Sequence, residues 1–154
     1  MAEQPSTPPE TPYQVRVTHR FKASRQRVFR AWTEPELLMR WFGESEGKFD
    51  TCEIDLRPGG TYKLEGRMAG DKRWSIWGKY LEVVPGEKLV YTWEWQHDPG
   101  PWTTTGNTLV TVEFRDMGQE TELTLTHERF ESAAARDEHN MGWKGCFTRL
   151  EKIV

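Results

Sequence analysis

The chain has 154 residues, with 21 lysines and arginines against 24 acidic residues, a formal charge of -3 and a pI near 5.9. That length leaves room for one domain with a single core, and the balance lacks the basic excess of a nucleic-acid-binding protein. Arg16, Arg20, Lys22, Arg25, Arg27 and Arg30 make the early part locally positive, which reads as solvated surface balanced by acidic residues elsewhere.

The first twelve residues, MAEQPSTPPETP, carry four prolines and no apolar pattern, so a disordered or extended arm is expected over 1–12. The stretch also lacks the basic start and apolar centre of a signal peptide, and no segment approaches the roughly 18 apolar residues that span a bilayer. The expectation is a soluble cytoplasmic protein with no membrane partner. From Tyr13 to Phe21 apolar and polar residues alternate, the period of a half-buried strand. Ser24 then caps a short helix bearing Val28, Phe29, Ala31 and Trp32. Thr33-Glu-Pro-Glu36 has the spacing of a capping box with proline in the first turn, and opens a second helix bearing Leu37, Leu38, Trp41 and Phe42.

After Gly43 the pattern turns to strands. Residues 49–56 form one, and Arg57-Pro58-Gly59-Gly60 places proline and glycine at the centre of a type II turn. The return strand sets Tyr62, Leu64, Gly66 and Met68 on one face. A strand from about Trp74 to Val84 follows, its face undecided between Trp74, Ile76, Tyr80 and Trp77, Leu81, Val83. Val84-Pro85-Gly86-Glu87 repeats the turn chemistry, and Leu89, Tyr91, Trp93 and Trp95 share a face of the next strand. A long loop, QHDPGPWTTTG, leads to a last pair of strands, TLVTVEFRD and TELTLTHERF. From near Ser132 a long helix runs to the end, with Trp143, Cys146, Phe147, Leu150 and Val154 on one face. Gly142 and Gly145 interrupt it at a cost of about 1 kcal/mol each relative to alanine. They are points where the helix approaches the sheet closely, or where space is left beside it, or where a solid core relieves crowding against tryptophan.

The order of one strand, two short helices, six antiparallel strands and a long helix is α+β, with helices packed on one face of the sheet. The phrases SRQRVFRAWTEPELLMRWF, DLRPGGTYKLEG, WGKYLEVVPGEKLVYTW, TLVTVEF with TELTLTH, and GWKGCFTRL stand in an order that resembles the Bet v 1-like (START, SRPBCC) superfamily. Within it the chain is similar to the branch related to the C-terminal domain of the activator of Hsp90 ATPase. The resemblance implies a helix-grip fold over 13–154, a curved antiparallel sheet wrapped around the C-terminal helix and often enclosing an apolar cavity. It does not fix the chemistry, because the same fold hosts ligand carriers, cyclases, lipid transporters and co-chaperone domains.

Cys52 and Cys146 are too few for a disulfide framework, and His19, His97, His127 and His139 form no ligand motif, so neither metal nor cofactor is expected. Nucleophile elbows, Walker loops and dinucleotide fingerprints do not occur, and Glu94 and Glu113 alternate away from the apolar face. The unusual feature is aromatic, with eight tryptophans, seven phenylalanines and four tyrosines. Trp41, Phe42, Tyr62, Leu64, Trp93, Phe114, His127, Trp143 and Phe147 fall at inward or mouth positions and are the expected ligand-binding set. The favoured expectation is a carrier or sensor that binds a small apolar or aromatic molecule without turnover, as a monomer or homodimer. Two alternatives stand beside it: a stress-response co-chaperone that engages Hsp90, and a cyclase or hydrolase in which His127 handles protons.

Overall fold

The computed structural model describes residues 13–42, 48–68, 70–97 and 108–154; the arm over 1–12 and most of the loop over 96–106 lie outside these residues. The first strand, β1 (Val15–Phe21), leads into α1 (Arg25–Thr33) and α2 (Pro35–Trp41). Six strands follow: β2 (Lys48–Ile54), β3 (Thr61–Met68), β4 (Lys72–Val84), β5 (Lys88–His97), β6 (Thr108–Asp116) and β7 (Thr121–Glu128). The chain closes with α3 (Ala133–Ile153). The strands make one seven-stranded sheet in the order β1-β7-β6-β5-β4-β3-β2, every neighbour antiparallel. Its concave face holds α3, with α1 and α2 closing one side, which is the helix-grip arrangement.

Local chemistry explains the boundaries. Ser24 accepts the N–H of Arg27 and so caps α1, and Ser132 accepts the N–H of Ala135 and caps α3. The break between α1 and α2 falls at Glu34, held extended at φ -95° and ψ 122° because the residue before a proline is driven out of the helical region. The capping box expected at Thr33 does not form. Glu34 occupies the cap position without a side-chain bond to the backbone, its carboxylate pairs with Arg30 at 2.8 Å, and the Thr33 hydroxyl donates back to the Phe29 carbonyl. The second strand also stops earlier than its pattern suggests, at Ile54, because Asp55 receives Arg57 and begins the turn. Gly59 (φ 86°) and Gly86 (φ 77°) take the left-handed conformation that the two Pro-Gly turns require.

The core is laid down at period two. Leu89, Tyr91 and Trp93 on β5, Val110, Val112 and Phe114 on β6, and Leu123, Leu125 and His127 on β7 are all buried on the same side. The ambiguous strand resolves in favour of Trp74, Ile76 and Tyr80, which are buried, while Leu81 is exposed. Its pattern is blurred by a register shift between Tyr80 and Glu82, a bulge that bends the strand. Gly78 lies just before the bulge, where a Cβ would overlap the Thr92 carbonyl. Thr92 is held by two hydrogen bonds there, since its hydroxyl accepts the Lys79 N–H at 2.9 Å and its carbonyl accepts Tyr62 Oη at 2.6 Å.

Gly78→Ala should therefore lower stability by about 1–3 kcal/mol through overpacking against backbone. Gly142→Ala, at a helical site with nothing within 4 Å of the added Cβ, should leave stability unchanged or raise it. Urea denaturation of the two variants beside the parent checks the contrast; equal losses would refute it.

Candidate functional site

A cavity of about 240 Å³ lies between the sheet and the first half of α3. Three elements of periodicity build it. Strand alternation sends Trp74 and Ile76 from β4, and Trp93 and Trp95 from β5, into one wall. Helical spacing sends His139, Gly142, Trp143 and Cys146 of α3 into the facing wall. Met68 at the end of β3 and Phe42 just after α2 close the sides, and exposed Glu138 stands at the edge. The glycine question has different answers at its two positions. Gly142 lines the cavity and a Cβ there would meet nothing within 4 Å, so it marks space left beside the helix. At Gly145 the added atom would reach Arg149 Nη1 at 3.6 Å, which is ordinary contact and not a close approach to the sheet.

Aromatic edges and faces hold the lining rings in place. Trp93 packs on Trp143 with centroids 5.2 Å apart, and Phe42 meets Trp93 and Trp143 at 6.0 Å each. Behind Trp93 and Trp143 sits His127, fully buried on β7. Trp143 Nε1 donates to His127 Nδ1 at 3.1 Å, so the neutral ring carries its proton on Nε2. Burial holds His127 well below the ordinary histidine range, and neighbouring His139 lowers it further. Burial also lowers His139, against the opposing effect of its bond to the Ala135 carbonyl. That bond, 2.9 Å from Nδ1 to a carbonyl, fixes the proton on Nδ1 and leaves Nε2 as a lone-pair acceptor. Two donors here are buried without a partner among the described residues, Trp93 Nε1 and His127 Nε2. An unanswered buried N–H costs on the order of 1–3 kcal/mol.

Of the nine residues expected to bind ligand, Phe42, Trp93 and Trp143 line this cavity. Trp41 lies behind them, its Nε1 on the Ala31 carbonyl and its ring 4.7 Å from Trp32. Phe114 packs edge-on against Phe29, and Phe147 against Phe21 and Trp32, where the core is filled. Leu64 is buried, and Tyr62 joins Tyr80 and Tyr91 in a cluster with centroids 5.3–5.7 Å apart. His127 contacts lining rings without lining the cavity itself. The expected set omits Met68, Trp74, Ile76, Trp95, Glu138, His139 and Cys146, while the sequence marks Gly142 only as one place where space could be left beside the helix. The helical steps of -4, -1 and +3 from Trp143 would have found His139, Gly142 and Cys146.

Among the described residues no group of three or more His, Cys, Asp or Glu is placed to hold a metal ion. None of the described helices is long and apolar enough to cross a membrane.

The buried histidines give stability a defined pH dependence. Both have folded pKa values below the unfolded value of about 6.5. Above that pH neither state holds the extra proton; below it the unfolded chain binds protons that the folded chain refuses. Stability should thus be level above pH 7 and fall as pH drops below 6.5, with a slope approaching 1.4 kcal/mol per pH unit for each histidine. Urea midpoints from pH 7.5 to 5 measure it, and His127→Gln, which keeps an acceptor for Trp143, should remove one histidine's share of the slope.

A family model described as activator of Hsp90 ATPase homolog 1-like protein matches residues 22–154. No protein of curated function matches the chain. Among solved structures, protein CV1439 from Chromobacterium violaceum is similar at 26% identity and a TM-score of 0.79, covering 94% of this chain and 98% of that one. A Rhizobium leguminosarum protein is similar at 25% identity and a TM-score of 0.77, covering 90% and 91%. A Silicibacter pomeroyi protein bearing the same family designation shares the fold at 18% identity and a TM-score of 0.77, covering 90% and 95%. With a family match that spans nearly all of the described residues and a helix-grip sheet and helix to go with it, the chain belongs to the activator of Hsp90 ATPase homolog 1-like family.

Proposed function

We propose that this protein is a cytoplasmic carrier or sensor that binds a small apolar or aromatic molecule, without turnover, in the cavity beside Gly142. The observation that carries the reading is an aromatic-walled space of about 240 Å³ next to a helix position where nothing lies within 4 Å of an added Cβ. A dry apolar cavity of about 150 Å³ already holds benzene. The volume here suits a molecule of one or two fused rings. Helix-grip folds of this superfamily commonly bind hydrophobic ligands, which agrees with the lining. The histidines favour binding over proton transfer: burial keeps both neutral at physiological pH, and His127 commits Nδ1 to Trp143.

Native mass spectrometry of protein purified gently from its own host, followed by organic extraction, tests the reading. The expected result is a stoichiometric small molecule released from the parent protein. Gly142→Leu, which sends a side chain into the cavity, should carry none and should weaken rebinding of the released molecule at least tenfold, about 1.4 kcal/mol. The same variant should keep its fold and gain about 0.5–1 kcal/mol of stability from helix propensity. A clean apo mass with no response to apolar compounds would overturn the proposal and move the search to surface partners, beginning with an Hsp90-type chaperone.

A further inference from the structure

The rings of Phe42, Trp74, Trp93, Trp95 and Trp143 surround the cavity, and Glu138 is the one charged side chain among the described residues that line it. The donors of that wall are withdrawn from it. Trp143 Nε1 is bonded to His127 at 3.1 Å, His139 Nδ1 to the Ala135 carbonyl at 2.9 Å, and the Nε1 atoms of Trp93 and Trp95 are buried. What these three indoles present to an occupant is carbon and the negative faces of their π-systems. A cation is attracted to such faces, whereas an anion finds no hydrogen bond there.

Charge along α3 gives the cavity a direction. Glu138 is exposed at the mouth, one turn before exposed Gly142 and about 5–6 Å from it along the helix surface. It has no ion-pair partner among the described residues, and Arg136, close to it in the chain, is held by Asp137 at 2.6 Å. His139 beside it is kept neutral by burial and adds no positive charge. A positive charge stands behind the other end of the wall, where Arg149 Nη2 lies 3.6 Å from Cys146 Sγ with Nε on the Trp41 carbonyl. Arg149 is about three turns beyond Glu138, or about 16 Å along the helix axis. The mouth is therefore the negative end, and the deep end offers an ammonium nothing.

We propose that the natural occupant is a small organic cation, an aromatic or apolar body with an ammonium group on a short link, seated with the body beside Gly142 and the ammonium at the mouth against Glu138. Resting on the cavity reading above, this assignment makes Glu138 the residue that selects charge among molecules of equal size. An uncharged isostere keeps the contact with the rings and loses the attraction to their faces and to the carboxylate. An anion of the same shape faces the Glu138 carboxylate and gives up hydration with no donor in return.

Three probes that share a phenyl ring on a two-carbon link test this by titration of tryptophan fluorescence with the full chain: phenethyltrimethylammonium, its uncharged carbon isostere 3,3-dimethylbutylbenzene, and 3-phenylpropionate. The cation should bind about fivefold tighter than the isostere, and phenylpropionate should bind most weakly. Glu138→Gln, an exposed site where the fold is retained, should weaken the cation about threefold, leave the isostere unchanged and tighten phenylpropionate. Added salt should weaken the cation in the parent and have little effect on it in Glu138→Gln. A cation that binds the parent no better than the isostere, or whose affinity Glu138→Gln leaves unchanged, would overturn the assignment while leaving the cavity intact. Failure of all three probes to bind would instead overturn the cavity reading and this assignment with it.

Discussion

The hydrogen bond from Trp143 Nε1 to His127 Nδ1 joins the long helix to the sheet in the buried interior, and the character of the site follows from it. It turns the Trp143 ring into a fixed wall, selects the tautomer of His127, and ties α3 to the strand that also pairs with β1. A neutral ring is needed on the accepting side, because a protonated imidazole offers no lone pair to an indole. Burial supplies that condition by disfavouring the charged form. The Phe130 ring packs against both histidines, 4.3 Å from His127 and 4.8 Å from His139, and so helps keep water from them.

The interior is uneven in consequence. On the side of α1 and α2, rings interlock and their polar edges are answered: Trp41 on a backbone carbonyl, Trp32 on Tyr91, Tyr62 on Thr92. That half behaves as a packed core, where interdigitation and satisfied donors both add stability. On the side of Gly142 the rings stand around space, and hydrogen-bonding capacity is left over. Arg149 ties the two halves together, its guanidinium Nε donating to the Trp41 carbonyl at the end of α2.

The architecture was readable because alternation and turn chemistry speak for themselves. Each Pro-Gly pair placed its glycine at positive φ, and Ser24 and Ser132 cap the helices their positions announced. Phase was harder to read on β4, since a bulge near Gly78 resets alternation, and no residue between Trp74 and Val83 reveals where the extra residue falls. The capping box failed because spacing cannot say whether Thr33 or Glu34 takes the cap, whereas the proline behind Glu34 decides it. The expected site residues scattered for a different reason. An apolar inward position is common to core and cavity, so Phe114 and Phe147 carry the same signal as Trp93 and Trp143. Only the place where side chains fall short separates them, and a shortfall belongs to several elements at once. His139 was passed over as one of four histidines without a motif, although it stands one helical turn from Trp143.

The sheet order also governs how the molecule comes into being. β1 lies beside β7, so the hydroxyls of Thr18 and Thr124, 3.2 Å apart, belong to residues separated by 106 positions in the chain. The hairpins β2–β3, β3–β4, β4–β5 and β6–β7 close over short connections, whereas the first strand pairs only with the last. During synthesis the amphipathic segment Val15–Phe21 precedes its partner β7 by about a hundred residues and has no strand to pair with until β7 has been made. The helix that completes the cavity wall comes later still. The wall that α3 contributes is thus last in chain order, and the hollow has all its sides only where that helix has packed against the sheet.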